Sequence, residues 1–491
     1  IPQVCREGEG RLMEEKRRLR LEKLEEWRKA GIDPYYAEFR KEMRIQTARE
    51  KQGKKVATAG RIMAMRHHGK ACFADLVDES GKIQLYAKAE ILGELYRVFV
   101  DLDIGDIVGV KGEVFTSRTG EITIRVEEFT PLAKSLREFP EKWHKLKDPE
   151  LRERKRYLDY LMNEESRRIF EIRIRLLKKL REFFWEKGFV EVETPILHPV
   201  YGGAFARPFE TYHHALEQKL YLRIAPELYL KKLLVAGFEK IFEIGKNFRN
   251  EGISRKHNPE FTMLEAYQAY ANYENMAELV EECIGKLIQD ITGSLSLPYQ
   301  GKIIDCRHPW QRITFWEAME IYAGCRREEM QNISEAKKKA RILGIEEAET
   351  YNHLWEIYDE IFKERVEKHL EKPTFVLDHP VETTPLARSK KEDPGLVYRF
   401  ELFIAGMEVV NAFTELNDPV EQRRRLEGQR AERTRAGIYH PIDEEFLEAM
   451  EYGMPPAGGI GIGVDRLAML VGNAYSLRDT LAFPLLRPEG S

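Results

Sequence analysis

The chain has 491 residues, of which 43% are hydrophobic, 33% charged and 10% aromatic, enough for about three domains of ordinary size and far too many for a peptide hormone, a lone binding module or a disulfide miniprotein. Its 79 basic and 83 acidic residues give a net charge of -4, which taken over the whole chain argues against a nucleic-acid partner. No apolar run approaches the about 18 residues of a membrane span, so no membrane association is expected.

Five cysteines, Cys5, Cys72, Cys283, Cys306 and Cys325, are widely spaced and form no CxxC pair. Neither a disulfide framework nor a zinc site is expected, and a reducing cytoplasm is the simplest setting. Ile1 to Gly10 lacks a basic segment followed by an apolar core, so no secretory signal is expected.

Residues 1–54 form a charged helical extension. From Arg11 to Ala30 basic and acidic residues crowd a thin stripe of Leu12, Leu19, Leu24 and Trp27, stopped at Gly31. Two readings stay open, a solvated helix and a basic helix that touches phosphate. Over 55–135 the pattern changes to short strand-like segments, Val56–Arg61, Ala71–Val77, Lys82–Ala87, Ile107–Phe115 and Glu121–Phe129, separated by turns such as Glu79-Ser80-Gly81. Five strands with a helical stretch, Glu90–Val100, between the third and fourth fit a five-stranded oligonucleotide-binding (OB-fold) β-barrel, although composition does not separate it from other small barrels. A charged linker with Pro140 and Pro149 occupies 136–160. Residues 161–491 alternate helix and strand, beginning with an amphipathic helix at Ile169–Lys187, with a helical insertion at about 325–372. The fold class expected is α+β, an antiparallel sheet flanked by helices behind an N-terminal barrel.

Three stretches carry chemistry. In Phe261-Thr-Met-Leu-Glu-Ala-Tyr267, strand alternation sets Phe261, Met263, Glu265 and Tyr267 on one face: an aromatic platform, a carboxylate and a phenol. Arg249 and His257 just upstream supply positive charge suited to phosphate, and a charged hairpin at a domain edge is the plainer alternative. In Arg399–Glu415, a hairpin at Ala405-Gly406 pairs 404 with 407 and 401 with 410, placing Glu401 and Glu408 on one face. Two buried carboxylates side by side repel unless a cation lies between them, and magnesium bridging to a phosphate fits. Strict alternation sends Asn411, Phe413 and Glu415 to the other face, so a shared site requires a bulge near Val409 or Val410. Last, Gly458-Gly-Ile-Gly-Ile-Gly463 leads into a helix that begins near Arg466; its spacing is neither that of a P-loop nor of a dinucleotide fingerprint.

These stretches, in this order, resemble the motifs of class II aminoacyl-tRNA synthetases. Gly188-Phe-Val-Glu-Val-Glu-Thr-Pro195 is similar to motif 1, Phe248-Arg249-Asn-Glu251 with Phe261 to motif 2, and Gly461-Ile-Gly-Val-Asp-Arg466 to motif 3. The nearest likeness is to lysyl-tRNA synthetases of the bacterial type, subclass IIb. It runs from about residue 11 to Pro488 and includes Gly202-Gly203-Ala204 and Arg223-Ile-Ala-Pro-Glu227-Leu-Tyr-Leu230.

The resemblance implies a ligase that adenylates L-lysine with ATP and passes it to the 3′ end of tRNA(Lys), with Mg2+ as cofactor. It implies catalytic roles for Arg249 and Arg466. ATP would be held by Arg249, Glu251, His257, Asn258, Phe261, Glu401 and Arg466, and the metal by Glu401 and Glu408. Lysine would be held by Gly203, Glu227, Arg249, Glu265, Tyr267, Asn411, Phe413 and Glu415, since two desolvated amines need acidic partners. In the barrel it implies that Phe73, Gln84 and Glu121 read the anticodon; without it, Phe73 reads equally well as a core aromatic. It further implies a homodimer through motif 1. Aspartyl and asparaginyl relatives usually carry Gln where Glu227 stands, so they rank second, ahead of a non-catalytic RNA-binding paralogue. Phe205, Ala266, Met407 and Ala457 depart from the family pattern and bear on pocket shape and rate. Through Gly60 there are 16 basic and 11 acidic residues, +5, leaving -9 for the rest, so the whole-chain charge averages a basic arm with an acidic body.

Overall fold

A computed structural model describes residues 3–139, 148–435 and 441–488, with side chains from Met13 onward except at 431–435. The chain divides into two compact units, Ile1–Lys147 and Asp148–Ser491.

In the first unit, helix α1 spans Gln3–Lys29 and stops where Gly31 takes a positive φ of 75°, a conformation glycine adopts without a Cβ clash. The helix is not simply solvated: Leu24 and Trp27 are buried, and Arg20 donates to the carbonyls of Ser135 at 3.0 Å and Arg137 at 2.9 Å. Five strands, β1 (Lys55–His68), β2 (Ala71–Asp78), β3 (Gly81–Lys88), β4 (Ile107–Thr116) and β5 (Ile122–Ala133), close a barrel in the order β1-β2-β3-β5-β4. Alternation fills it with Cys72, Ala74 and Leu76 from β2 and Ile83, Leu85 and Ala87 from β3. Two short helices, Ala89–Leu92 and Leu95–Val100, lie between β3 and β4, and Phe99 packs edge-on against Phe129 at 5.2 Å. The expected five strands and inserted helix are therefore those of the OB-fold.

Of the linker expected at 136–160, residues 140–147 lie outside the described residues. Pro149–Arg154 and Arg156–Met162 are short helices of the second unit. That unit is built on an eight-stranded sheet. Its strands and some of the helices around them are, in chain order, α2 (Glu164–Glu186), β6 (Val190–Glu191), α3 (Glu227–Val235), β7 (Lys240–Phe248), β8 (Glu260–Ala269), α4 (Tyr273–Thr292), β9 (Gln311–Thr314), β10 (Thr374–Pro380), β11 (Leu396–Ile404), β12 (Met407–Thr414), β13 (Ala457–Gly463) and α5 (Val464–Gly472). The sheet order is β9-β10-β11-β12-β13-β8-β7-β6. It is antiparallel through the centre, with parallel pairs at both edges, β9 with β10 and β6 with β7.

One face of the sheet is covered by α2, α4 and α5. Leu176, Leu180, Val280, Ile284, Leu467 and Leu470 meet Leu264, Ala266, Val410, Ala412, Ile460 and Ile462 in the main core. The insertion between β9 and β10 carries its own core, with Met319, Ile357, Ile361 and Val366 packed on Val376 and Phe403 of the sheet. A satellite core that shares strands with the parent sheet does not separate as a third unit.

Candidate active site

The site occupies the face of the sheet opposite the main core, and strand register explains its layout. Glu243 pairs with Glu265, Glu265 with Gly461, Gly461 with Asn411 and Asn411 with Glu401, a single transverse row across five strands. The next row joins Tyr267, Gly459, Phe413 and Arg399. Glycine at the centre of each row makes the floor shallow: a Cβ on Gly459 would sit 2.0 Å from Glu415 Oε1, and one on Gly461 2.8 Å from Met263 Cε. The expected common face of Phe261, Met263, Glu265 and Tyr267 follows from the unbroken β7–β8 register.

The β11–β12 hairpin departs from the expected register in one respect. Ile404 pairs with Met407 as expected, through Ala405 and Gly406 at positive φ, but Glu401 pairs with Asn411 rather than with residue 410. The register shifts between Leu402, opposite Val410, and Phe403, opposite Glu408. The extra residue, Val409, is the bulge required at this point, and it brings Glu408, Asn411 and Phe413 onto the same face as Glu401.

Two cavities meet on this floor. One, of about 270 Å³, is lined by Gly203, Glu227, Arg249, Glu265, Tyr267, Asn411, Phe413 and Glu415 among others. The second, of about 180 Å³, is lined by Arg249, Glu251, Lys256, His257, Asn258, Phe261, Glu408 and Arg466 among others. Arg249, Met263, Asn411 and Gly461 line both. Glu401 lines neither; it accepts from Arg399 at 2.5 Å on the same sheet face.

The acidic cavity is built of stacked charges. Tyr267 donates to Glu265 at 3.2 Å, and burial, with Glu227 adding to it, pushes the Glu265 carboxyl up to about 8. Behind it Arg223 and Glu243 form an ion pair at 2.5 Å, braced by Thr194 Oγ1 donating to Glu243 at 2.7 Å. A Cβ at Gly245 would come within 2.0 Å of Arg223 Nη2, so glycine there is what admits the guanidinium. Lys231, fully buried on α3, lies 2.6 Å from both Glu227 Oε1 and Glu415 Oε2.

The second cavity is cationic. Arg249 Cζ stands 5.0 Å over the Phe261 ring, and its buried Nε has no hydrogen-bond partner among the described residues. Arg466, in the first turn of α5, donates to the Glu408 carbonyl at 2.7 Å and to its carboxylate at 3.0 Å, and lies 3.3 Å from His257 Nε2. Burial, followed by the Arg466 charge, holds His257 below its usual range, so Nε2 stays neutral beside a guanidinium. Asp465 accepts from the Thr262 amide at 2.8 Å and pairs with Arg173, tying α5 to β8 and α2.

Several of these partners were not singled out in the sequence. Lys231 stands four residues after Glu227, one helical turn, and that spacing was the available signal. Arg399 stands two residues before Glu401 on one strand, a spacing that sets both on the same face, whereas Arg173 offered none, because its partner comes from packing. Of the departures, Ala266 and Met407 face the main core, Ala457 is buried opposite Ala269, and Phe205 alone lines the acidic cavity, its ring 5.3 Å from Trp355. In the barrel, Phe73 stacks on Tyr86 at 4.8 Å, Gln84 accepts from Thr123 at 3.0 Å, and Glu121 lies 3.9 Å from Arg49.

A glycine-floored antiparallel sheet with a cationic cavity and an acidic one on the same face, in a chain whose first unit is an OB-fold barrel, fits the class of enzymes that pair a nucleotide site with RNA binding. Residues 148–487 match the family described as tRNA synthetases class II (D, K and N), and residues 56–132 match the OB-fold nucleic acid binding domain; the chain belongs to the class II tRNA synthetases. It is 52% identical over 482 residues to the lysine–tRNA ligase of Carboxydothermus hydrogenoformans, covering 96% of this chain and 98% of that one. It is 50% identical to those of Moorella thermoacetica, over 96% of this chain and 97% of the relative, and of Pelotomaculum thermopropionicum, over 96% and 95%. Within the class, the chain therefore groups with the lysine–tRNA ligases.

Proposed function

We propose that this chain activates L-lysine with ATP, releasing diphosphate, and transfers the lysyl group from the adenylate to the 3′ end of tRNA(Lys), releasing AMP. The observation that carries this reading is the junction of an acidic and a cationic cavity at Arg249, Asn411 and Gly461. A diamine with one carboxylate suits the first, a triphosphate suits the second, and their reacting ends meet where Arg249 stands.

Arg249 binds the lysine carboxylate and the α-phosphate together and stabilises the charge that builds on pentavalent phosphorus. Its Nε, without a hydrogen-bond partner among the described residues, supports this role. Adenine lies between Phe261 and Arg466 with Glu251 at its edge, Asn258 lies beside the nucleotide, and His257 and Arg466 meet the outer phosphates. No general base is needed, because the attacking carboxylate is already ionised. Gly203, Glu227, Glu265, Tyr267, Asn411, Phe413 and Glu415 hold the amino acid. Glu227 favours lysine over aspartate, since a carboxylate placed among these acids would be left unpaired.

Glu401 and Glu408 would hold Mg2+. Burial pushes the Glu401 carboxyl up against the pull of Arg399, and Glu408, Asp359 and Glu367 add to the push, a repulsion that a divalent cation relieves. Among the described residues no three His, Cys, Asp or Glu side chains form a metal cage, which suits an ion that takes its remaining ligands from phosphate and water. When bound, it screens and orients the triphosphate.

Phe73, Gln84 and Glu121 read the anticodon. A homodimer forms through motif 1, and Trp185, Val190, Ile196 and Leu197, exposed within or beside it in the chain, supply apolar surface for the contact. A cytoplasmic setting accords with Cys72, Cys283, Cys306 and Cys325 being free, buried thiols. The experiment is amino-acid-dependent exchange of pyrophosphate into ATP with lysine, aspartate and asparagine. Exchange with lysine alone is expected, and exchange with aspartate but not lysine would overturn the reading.

A further inference from the structure

Lys231 belongs to none of the ligand-holding groups named above, yet it sits at the centre of the acidic cavity's charge. Its side chain is wholly buried on α3, and its ammonium lies 2.6 Å from one oxygen each of Glu227 and Glu415. The remaining oxygens pack against glycines that line the cavity. Glu415 Oε1 is buried against Gly459 without a hydrogen-bond partner among the described residues. Glu227 Oε2 lies 3.7 Å from where a Cβ on Gly203 would stand. Lys231 thus engages one oxygen of each acid, and both acids line the cavity.

We propose that Lys231 is a specificity-determining positioning residue, a built-in ammonium that reduces the charge Glu227, Glu265 and Glu415 carry in the lysine-bound pocket from three to two and so matches it to a ligand with two ammonium groups. This rests on the lysine-activating reading above. The ligand's own carboxylate is met separately by Arg249, so the filled cavity is neutral. An amino acid with a neutral side chain leaves one buried carboxylate unmatched, and a pocket without Lys231 carries one charge too many, which a proton or a stray cation would neutralise in competition with lysine.

The full-length chain tests this through lysine-dependent pyrophosphate exchange in three variants. Lys231→Met is expected to raise the lysine KM about tenfold or more while kcat changes less than about threefold, the signature of lost ground-state binding. Glu415→Gln leaves a charge of one and is also expected to raise KM. The combined variant, Lys231→Met with Glu415→Gln, restores a charge of two, so its lysine KM is expected to fall below that of Glu415→Gln alone. A strut that merely props the pocket gives the opposite order, because losing it can only worsen a damaged site. A combined variant with KM equal to or above that of Glu415→Gln overturns the proposal, as does Lys231→Met with lowered kcat and unchanged KM. If Lys231→Met does not fold, comparing the other two decides alone. Wild-type protein without lysine-dependent exchange would instead refute the underlying functional reading.

Discussion

The two cavities share four lining residues yet solve opposite electrostatic problems. The acidic one gathers Glu227, Glu265 and Glu415 in a place so dry that one carboxyl is pushed up to about 8, and it carries a buried lysine of its own. The cationic one leaves Arg249 Nε without a hydrogen-bond partner among the described residues and backs Arg466 with Glu408. In both, a fixed counter-charge sits behind the charge that meets the ligand. Like charges held out of water repel strongly, so a site for an ion needs partial neutralisation before the ion arrives.

Substitutions separate the two cavities most sharply at Arg249. Arg249→Ala is expected to lower lysine-dependent exchange by about 10³-fold or more, because it removes charge stabilisation at the reacting phosphorus; exchange near the wild-type rate would contradict its role. Next in size, Glu227→Gln is expected to raise the lysine KM by about 10²-fold with little change in the KM for ATP, and steady-state kinetics with each substrate varied in turn will show whether the cavities act separately.

A smaller effect follows from Glu265. Below about pH 8 its buried carboxyl holds a proton in the ligand-free protein, and that proton must leave before an ammonium can pair there, so the lysine KM should fall as pH rises from 7 to 8 while the KM for ATP stays level. The same shift has a stability consequence. Between its unfolded value and about 8 the folded protein binds the extra proton, so the group's contribution to stability declines as pH rises through that window. Thermal melts with and without saturating lysine should converge toward low pH and separate toward pH 8.

The smallest change is expected in the first unit. Phe73→Ala is expected to raise the KM for tRNA by about tenfold, the loss of one stacked base, and to leave pyrophosphate exchange untouched. Salt should weaken tRNA binding in the same selective way; an equal effect on exchange would put Phe73 in a folding role.

Much of this was legible in the sequence where the signal is local. Alternation in Phe261–Tyr267 put four side chains on one face, and the register keeps them there. The clash between strict alternation and a shared site for Glu401, Glu408 and Asn411 called for a bulge, and Val409 supplies it. Turn spacing marked the five barrel strands. The helix α1 was less legible, since its thin apolar stripe looked solvated until Arg20 and Trp27 found partners on the barrel unit.

What the sequence determined by itself is therefore the set of ligand-facing residues and the elements that bear them, because strand period, turn chemistry and motif order act over a few residues. The tertiary structure alone decided the long-range part of the second layer: Glu415 as the second partner of Lys231, Arg223 behind Glu243 and Arg173 on Asp465. Most of these charges find their partners across the sheet or between elements distant in the chain. The cost of burying a charge unpaired dictates that each must have a partner, but only strand order and helix packing determine which one.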